Sequence, residues 1–275
     1  MFDYSKFTTR NAKYISPEIQ EKIRSTRLLI AGCGIGSSVA EVAVRTGFEK
    51  ICLADGDRVE LHNLNRQNFT ALDVGLPKVT GLAKRLKSIR SDLHIQEYEG
   101  WIGTENVAAM VEKADLIIDT IDFLSLRAIV ALHDECLRQK KPVLSALNVG
   151  WGAALLYFPP DTSYPFRRLF GLPEGEIGED LSYVKYYEPV ISKLAAHLDP
   201  AVVRDIAETF GQMLNGRPCP APQLSVGTCM VGALTVTAAV RILTGTPLRS
   251  SPEIILTDFA SVCNDSGIDL SNQDS

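Results

Sequence analysis

The chain has 275 residues, 45% of them hydrophobic, and a formal net charge of −5. This length and composition suffice for one large domain with an ample buried core, and they exclude a chain that is disordered throughout. The acidic balance offers no basic surface for a polyanion, so no nucleic-acid partner is expected.

The N-terminus, the longest apolar stretch and the cysteines bear on localisation. The start, MFDYSKFTTR, lacks the apolar core of a signal peptide. The stretch from Met230 to Val240 is too short, and too interrupted by threonine, to span a bilayer. The six cysteines include no C-x-x-C pair and are expected to be small buried side chains in a reducing compartment. We therefore expect a cytoplasmic protein without a membrane partner.

Helices and strands alternate along the first 158 residues. Ser16 is the expected N-cap of a short helix that begins at Pro17, and the apolar run from Leu28 to Ala31 predicts the first strand. Helices are predicted at 37–46, 78–89, 104–113 (capped by Thr104) and 124–139, and strands at 51–54, 93–98, 116–118, 142–146 and 152–158. This alternation favours a Rossmann-like α/β fold, a mostly parallel twisted sheet with helices on both faces.

The second half of the chain is less regular. Residues 159–178, rich in Pro, Gly and charge, are expected to form a long surface loop of the kind that often covers a site. Asp199 caps a predicted helix from Pro200 to Leu214, followed by a rigid extended segment at 217–222 and a long helix at 224–243. A strand at 254–256 extends the sheet as a mixed C-terminal addition. The expected organisation is an arm at 1–26, a nucleotide-binding region at 27–158, the remainder of the same domain at 159–263 and a disordered tail at 264–275.

A glycine-rich turn follows the first predicted strand. Gly32, Gly34 and Gly36 would let backbone N–H groups approach a phosphate, at the positive N-terminal end of the next helix. Asp55 ends the second strand at the spacing of roughly 20 residues that is typical of an acid contacting a ribose. The turn is one residue shorter than G-x-G-x-x-G, and Ala31 is the alternative occupant of the first glycine position.

A more specific pattern lies downstream of this turn. It consists of Asp55-Gly-Asp57, then Val59-Glu60, then Asn63-Leu-Asn-Arg66-Gln67, then Pro77-Lys78, and finally Asp119-Thr-Ile-Asp122 and Arg127. This pattern resembles that of the ThiF/MoeB/HesA family, the ubiquitin-activating-type adenylyltransferases. The resemblance is specific over residues 10–158 and looser from there to about residue 258. It implies an enzyme that uses ATP and Mg²⁺ and forms a homodimer.

The resemblance also assigns roles to individual residues. It implies that Asn63 and Arg66 contact the phosphates, that Asp55 holds the ribose, and that Asp122 is the carboxylate linked to the metal. The arm's Arg10 would reach the nucleotide of the partner subunit, or would be an ordinary exposed arginine. The full set of predicted nucleotide-binding residues is Arg10, Gly32, Gly34, Gly36, Asp55, Asp57, Asn63, Arg66, Gln67, Lys78 and Asp122, with Arg66, Lys78 and Asp122 expected to be catalytic.

Charge considerations support several of these roles. Lys78 lies in the first turn of a predicted helix, where a cation opposes the helix dipole by about 0.3–1 kcal/mol, so we expect an anion such as phosphate to compensate. Asp57 and Asp122 face the same polyanion, which is unfavourable unless Mg²⁺ lies between them. Asp119 is as well explained by a strand-end turn as by a ligand role. Phe123 occupies the position where the family usually has Asn.

Zinc and a cysteine nucleophile are not expected. Many family members hold a structural zinc ion with two C-x-x-C pairs, whereas this chain has no cysteine at the matching position near Phe166. Cys219 and Cys229 are the candidate nucleophiles, but a buried structural thiol is the better interpretation because nothing nearby lowers the pKa. No His-centred triad is evident either.

The predicted function is ATP-dependent adenylation of a carboxylate with release of pyrophosphate. The substrate would be a peptide, a small ubiquitin-like carrier protein or a metabolite, and no general base is needed because a carboxylate is already ionised. The later acceptor, whether a thiol, sulfide or amine, or a dehydration, stays open. The alternatives are an inactive family member that binds a partner and an NAD-dependent oxidoreductase.

Overall fold

Seven strands form one sheet in the order β3-β2-β1-β4-β5-β6-β7 in the computed structural model, which describes residues 2–175, 183–215 and 222–267. The strands are β1 Arg27–Ala31, β2 Lys50–Asp55, β3 His94–Glu99, β4 Leu116–Asp119, β5 Val143–Val149, β6 Gly152–Phe158 and β7 Ile254–Asp258. The helices are α1 Tyr4–Phe7, α2 Pro17–Ser25, α3 Gly36–Thr46, α4 Lys78–Ile89, α5 Val107–Glu112, α6 Leu126–Arg138, α7 Phe166–Phe170, α8 Tyr183–Leu194, α9 Pro200–Leu214, α10 Ser225–Thr244 and α11 Phe259–Asp265.

The sheet is parallel from β3 through β5 and antiparallel at β6 and β7. β1 lies between β2 and β4, and the chain leaves β1 toward β2 on one side and returns to β4 on the other. In open α/β sheets a ligand binds outside the carboxyl ends of the strands at such a switch point. The Rossmann-like fold with a mixed C-terminal extension is confirmed.

The core is divided by the sheet into two apolar clusters. Leu28 and Ile30 belong to the cluster under α3, α4 and α10, whereas their neighbours Leu29 and Ala31 belong to the cluster under α5 and α6. Successive side chains of a strand point to opposite faces, and β1 is apolar throughout because both of its faces are covered.

Several element boundaries differ from the sequence prediction. Thr104 does not cap a helix: α5 begins at Val107, and the Asn106 side chain accepts a hydrogen bond from the amide of Gly103 at 3.0 Å. α6 begins at Leu126 and not at 124, because the amide of Leu124 donates to the Asp122 carboxylate at 3.0 Å in a turn that precedes the helix. β5 and β7 also extend further than predicted, to Val149 and Asp258.

Four helices were not predicted, and the first of them is α1 in the N-terminal arm, which is only four residues long. α7 lies inside the expected loop at 159–178 and is only five residues long, too short for a periodic pattern. α8 contains Pro189, which argues against a helix when only the sequence is considered. α11 continues to Asp265, beyond the start of the tail predicted to be disordered. Residues 217–221 of the predicted extended segment, together with 268–275 of the tail, lie outside the described residues.

α10 combines high hydrophobicity with close packing. By length and composition it could cross a membrane, and half of that apolar window is buried inside the protein, against α3, β5 and β6. Two glycines permit the close approach: a Cβ atom at Gly232 would lie 2.5 Å from the Ser38 hydroxyl, and one at Gly227 would lie 2.4 Å from the Gly150 carbonyl oxygen. The small and apolar residues of α10 thus form part of the core.

A fully buried arginine connects the N-terminal arm to the sheet. The Arg90 guanidinium donates to the Asp92 carboxylate at 2.8 Å and to the Glu49 carboxylate. Aromatic rings of the arm cover it, with centroids 4.8–5.9 Å from its central carbon, at Phe2, Tyr4 and Phe7. The Tyr4 hydroxyl also donates to the Gly47 carbonyl oxygen at 3.0 Å. The arm is therefore held by its own subunit.

We predict that Arg90→Ala lowers the free energy of unfolding by about 3–5 kcal/mol, because it leaves the Glu49 carboxylate with less compensation in a buried place. The matched control is Arg138→Ala, which removes an exposed ion pair with Glu135 and should leave stability unchanged. Chemical denaturation of the three proteins measures the difference. If Arg90→Ala lowers the free energy of unfolding no more than Arg138→Ala does, the burial of Arg90 is energetically unimportant.

The same cluster predicts a pH dependence. The Arg90 hydrogen bond lowers the pKa of Asp92 below its ordinary 3.8. Burial raises the pKa of Glu49, but bonds from Arg24 and Arg90 outweigh it, so that pKa lies below 4.5. Groups with a lowered folded pKa stabilise the protein above the unfolded pKa, and that stability is lost as the pH falls through the folded pKa. The acid-induced loss of stability should therefore be smaller in Arg90→Ala than in the wild type.

Candidate active site

A cavity of about 280 Å³ opens at the carboxyl ends of the parallel strands. Most of the residues predicted from the sequence line it, namely Gly32, Gly34, Asp55, Asp57, Arg66, Gln67, Lys78 and Asp122. Gly36 lies next to this lining at the start of α3, whereas Asn63 and Arg10 do not line the cavity. The two cations on which the predicted chemistry depends, Arg66 and Lys78, thus line the same cavity.

The glycine turn requires glycine because it packs directly against the loop after β4. Gly32 has a φ of +87°, and a Cβ atom there would lie 2.4 Å from the Thr120 carbonyl oxygen. A Cβ atom at Gly36 would lie 2.4 Å from the Thr120 hydroxyl. Ala31 is the last residue of β1, so Gly32 and not Ala31 makes the turn.

The turn presents unused backbone donors to the cavity. Among the residues that the structure describes, no protein group accepts a hydrogen bond from the amides of Gly34, Ile35 and Gly36. Ile35 precedes the first residue of α3, so the partial positive charge of the helix N-terminus adds to these three donors. The arrangement suits an anion such as a phosphate group.

Asp55 connects the glycine turn to the end of β2. Its carboxylate accepts hydrogen bonds from the amides of Cys33 at 2.6 Å and Asp57 at 2.8 Å. Burial raises the pKa of Asp55, and the nearby Lys78 ammonium opposes that rise. Asp55 lines the cavity, and its contact with a ribose stays a prediction.

Lys78 forms an ion pair with Asp57. Its ammonium lies 2.7 Å from the Asp57 carboxylate, and its amide donates to the Asp57 carbonyl oxygen at 2.9 Å. The Lys78 side chain is 9% exposed and that of Asp57 is 49% exposed. Asp57 is therefore the anion that compensates the cation at the start of α4, and a phosphate would have to share or replace this contact.

Arg66 is oriented from several sides. Its Nε donates to the Gln223 side chain at 2.6 Å, and its Nη1 donates to the His62 carbonyl oxygen at 3.0 Å and to the Asn65 side chain at 2.9 Å. Burial lowers the pKa of Arg66, and the Asp122 carboxylate opposes that shift. The guanidinium is thus held at the edge of the cavity with a carboxylate in its field.

Three other predicted residues occupy different surroundings. Gln67 is buried beside the glycine turn, where a Cβ atom on Gly34 would lie 3.3 Å from its amide nitrogen. Asn63 is buried away from the cavity, and its side chain accepts a hydrogen bond from the Glu60 amide at 2.9 Å. It therefore shapes the loop rather than presenting an amide to the cavity. Arg10 is exposed in the turn Thr9–Asn11, so its contact with a partner subunit stays a prediction.

Asp119 belongs to a buried network that the sequence did not predict. One of its carboxylate oxygens accepts hydrogen bonds from the Ser145 hydroxyl at 2.7 Å and the His133 ring at 2.9 Å, and the other accepts from the Ile121 amide at 3.2 Å. Ser145 and His133 both bond to the carboxylate, so this is not a Ser–His relay. The one feature of the sequence that signals the Asp119 network is a histidine, His133, on the apolar face of α6.

Asp122 and Phe123 border the cavity side by side with opposite characters. Asp122 is exposed and accepts the Leu124 amide at 3.0 Å, leaving carboxylate capacity free for a ligand. The Phe123 ring, at the position where the resemblance implied Asn, lies 6.1 Å from the Tyr187 ring and 6.2 Å from the Phe210 ring. Phe123 therefore contributes part of an apolar wall where a hydrogen-bonding side chain was expected.

Trp101 is a further cavity residue that the sequence analysis missed. It lies in the loop after β3, at the same edge of the sheet as the glycine turn, and is 64% exposed. A Cβ atom at Gly56 would lie 2.6 Å from its ring, so the indole rests directly on the backbone between Asp55 and Asp57. A tryptophan immediately after a strand at the carboxyl edge is the signal that could have identified it.

The described cysteines divide into two groups. Burial raises the pKa of Cys33 and Cys136, and it raises that of Cys52 to about 11, as expected of structural thiols. Cys229 and Cys263 are exposed, so the prediction that all cysteines are buried is wrong for these two, which lie on the outer faces of helices. Cys219 lies outside the described residues.

The donor set limits how a metal ion could be held. No group of three or more His, Cys, Asp or Glu side chains suited to a metal ion occurs within residues 2–175, 183–215 and 222–267. A protein cage for zinc would need four good ligands, whereas Mg²⁺ is commonly held by one or two carboxylates together with phosphate oxygens. The free carboxylate capacity of Asp122 fits the second arrangement. The absence of zinc stays a prediction.

Comparisons with known proteins identify relatives of this chain. The sequence is similar to the sulfur carrier protein ThiS adenylyltransferase of Bacillus subtilis, with 33% identity over 166 residues, covering 58% of this chain and 49% of that protein. It is 28% identical to the vegetative HesA protein of Trichormus variabilis over 155 residues, covering 56% of this chain and 58% of that protein.

Solved structures share the fold at lower identity. Escherichia coli MccB with ATP has a TM-score of 0.59 and 19% identity, and the match covers 87% of this chain and 65% of MccB. E. coli tRNA N6-threonylcarbamoyladenosine dehydratase, TcdA, has a TM-score of 0.61 and 20% identity, covering 88% of this chain and 95% of TcdA.

The sequence relatives match only part of this chain, whereas the family model matches most of it. The chain spans about half the length of the ThiS adenylyltransferase that it matches. The profile of the ThiF family, in contrast, matches residues 8–262, which include the glycine turn, both cations and the carboxylates of the cavity. The chain is therefore a member of the ThiF family.

Proposed function

We propose that the protein is an ATP-dependent adenylyltransferase, which activates a carboxylate as its acyl-adenylate and releases pyrophosphate. The observation that carries this proposal is that Arg66 and Lys78 line one cavity with a glycine turn whose amides have no acceptor within the described chain. The relatives named as adenylyltransferases support the same activity. ATP is the proposed nucleotide.

The proposed reaction needs electrostatic stabilisation and no general base. A carboxylate oxygen of the substrate attacks the α-phosphorus of ATP, the bond from that phosphorus to the bridging oxygen breaks, and pyrophosphate leaves with the electron pair. No proton is removed, because the substrate is ionised at neutral pH. The growing negative charge lies on phosphate oxygens, and positioned cations such as Arg66 and Lys78 stabilise it.

Lys78 is suited to exchanging its partner during this reaction. The Asp57 carboxylate is half exposed, so water can solvate it when the ammonium turns toward a phosphate. An ammonium has three donors and can also bond to both anions at once. In the proposed complex Asp122 would hold Mg²⁺ together with phosphate oxygens. The ion would neutralise phosphate charge, and the protein would supply one carboxylate at the edge of the cavity.

Assembly and location are proposed on the same basis. A homodimer would give Arg10 a phosphate of the partner subunit to contact, since Arg10 is exposed and outside its own cavity. We place the protein in the cytoplasm, where ATP is available. The substrate classes consistent with this chemistry are a peptide, a small carrier protein and a metabolite. Among similar proteins, MccB in complex with MccA is an example with a peptide, and the ThiS adenylyltransferase is an example with a small carrier protein.

The second candidate is an inactive family member that binds a partner. Two observations favour it: Phe123 removes a hydrogen-bonding side chain next to Asp122, and Asn63 is used inside its own loop. An NAD-dependent oxidoreductase is less consistent with the cavity, because Arg66 and Lys78, which line it together with the glycine turn, have no role in hydride transfer. Binding and turnover of ATP separate these candidates.

We predict that Lys78→Ala and Arg66→Ala each lower the rate of pyrophosphate release by about 100- to 1,000-fold, since each removes a charged donor from the transition state. Lys84→Ala, an exposed lysine on the same helix, is the matched control and should keep the wild-type rate. Circular dichroism checks that all variants fold. Wild-type turnover in either cavity variant would remove that residue from the mechanism.

We also predict that ATP, and not NAD, stabilises the protein. A ligand at 100 times its Kd adds about 2.7 kcal/mol to the free energy of unfolding, which raises Tm by several degrees. Thermal melting with Mg²⁺ and either nucleotide measures the effect, and Lys78→Ala should reduce the shift. Stabilisation by NAD alone would favour an oxidoreductase, and stabilisation by neither would favour the inactive candidate.

A further inference from the structure

The cavity continues from the charged crevice into an apolar chamber. We define this acyl chamber by side chains on α7, α8 and α9, namely Phe166, Phe170, Tyr187, Ile191, Ile206 and Phe210. Phe123 connects the two parts, because it follows Asp122 in the chain and its ring contacts Tyr187 and Phe210. An apolar surface therefore begins directly beside the carboxylate expected near the phosphates.

The walls of the acyl chamber are packed aromatic rings. The Phe170 ring lies 4.5 Å from that of Phe166 and 5.1 Å from that of Tyr187, distances typical of favourable aromatic pairs. Two polar groups at the end of the chamber, Asp119 and Ser145, are already hydrogen bonded to each other. The chamber thus combines a fixed shape with few groups that need a polar partner.

Tyr187 is the exception in this apolar environment. Its side-chain hydroxyl is buried, the residue is only 8% exposed, and no group in the described parts of the chain bonds to it. Burial raises the pKa of Tyr187, and the Asp119 and Asp122 carboxylates raise it further, so the phenol keeps its proton. A buried hydroxyl without a partner is unfavourable, and an acceptor on a ligand would satisfy it.

The chamber distinguishes between the possible substrates. A peptide tail carries an N–H and a C=O group at every residue, and inside apolar walls these would lose water without gaining partners. A small molecule with an apolar body would instead gain about 25 cal/mol for each Å² of apolar surface that it buries. The walls therefore favour a compact metabolite over an inserted peptide tail.

We propose that the acyl chamber binds the body of the substrate, and that this substrate is a small carboxylic acid with an apolar body and a hydrogen-bond acceptor facing Tyr187. Its carboxylate lies at the Asp122–Phe123 border, next to the phosphates. The claim that this acid is adenylated rests on the proposed function. The claim that the chamber binds such an acid is independent of the proposed function.

The test measures binding and turnover separately. Wild-type protein with Mg²⁺ and a non-hydrolysable ATP analogue is titrated with phenylpropanoate, pentanoate, succinate and a peptide ending in Gly-Gly, and Tm is recorded. The same acids are then assayed with ATP for exchange of labelled pyrophosphate. We expect the two apolar acids to raise Tm and to support exchange, and succinate and the peptide to do neither.

A chamber-filling variant locates the binding. Ile191→Trp places a large side chain in the chamber and should abolish the Tm shift with phenylpropanoate while keeping the shift with the ATP analogue. Binding of the apolar acids without exchange would support the chamber and contradict adenylation. Exchange with the peptide but no binding of the apolar acids would contradict the proposal that the chamber binds the acid, and would leave the proposed adenylation intact. Retention of acid binding in Ile191→Trp would also contradict the proposed role of the chamber.

Tyr187→Phe tests the buried hydroxyl. Because that hydroxyl has no protein partner, the variant without ligand should melt at or above the wild-type Tm. Tyr187→Phe should weaken the binding of phenylpropanoates that carry a ketone, and it should leave the binding of phenylpropanoate itself unchanged. A lower Tm in the absence of ligand would show that the hydroxyl is already satisfied, and the role assigned to Tyr187 would be wrong.

Discussion

The close contact between the glycine turn and the loop after β4 is the constraint on which the site depends. Gly32 and Gly36 leave no space for a side chain beside Thr120, whose hydroxyl donates to the Gly32 carbonyl oxygen at 2.6 Å. This contact brings the unused amides at the start of α3 next to the loop that follows Asp119 and carries Asp122. Any side chain at Gly32 would separate the two loops, because both an unfavourable φ and a backbone clash oppose it.

Charge and apolar surface occupy opposite parts of one cavity. Arg66 and Lys78 lie with the glycine turn, each held by a protein partner, whereas the aromatic rings of α7 and α8 surround the space beyond Phe123. The proposed adenylation would use this division, because a polyanion and the apolar body of the proposed acid would each have suitable surroundings while the phosphate and the carboxylate meet. The Asp119 network stabilises the border by satisfying the buried carboxylate at the end of β4 within the protein.

The sequence predicted those helices and strands in which the pattern of apolar residues matches the pattern of buried positions. The β1–α3 turn, the DGD and PK segments and the alternation of the central strands with helices were all evident, since apolar runs and glycines carry strong local signals, whereas the order of the strands in the sheet was not predicted. The chamber was not predicted, because α7 is one short turn, α8 contains Pro189, and the rings that line the chamber are far apart in the sequence. The Asp57–Lys78 pair and the His133–Asp119 contact likewise depend on tertiary placement, as does the turn of Asn63 away from the cavity.

The most direct test of the central claim is a crystal structure of the protein with Mg²⁺ and a non-hydrolysable ATP analogue. The account predicts phosphate oxygens within hydrogen-bonding distance of the amides of Gly34 to Gly36, with the guanidinium of Arg66 and the ammonium of Lys78 contacting the same triphosphate. A triphosphate bound elsewhere, or Lys78 bonded to Asp57 alone with nucleotide present, would contradict it.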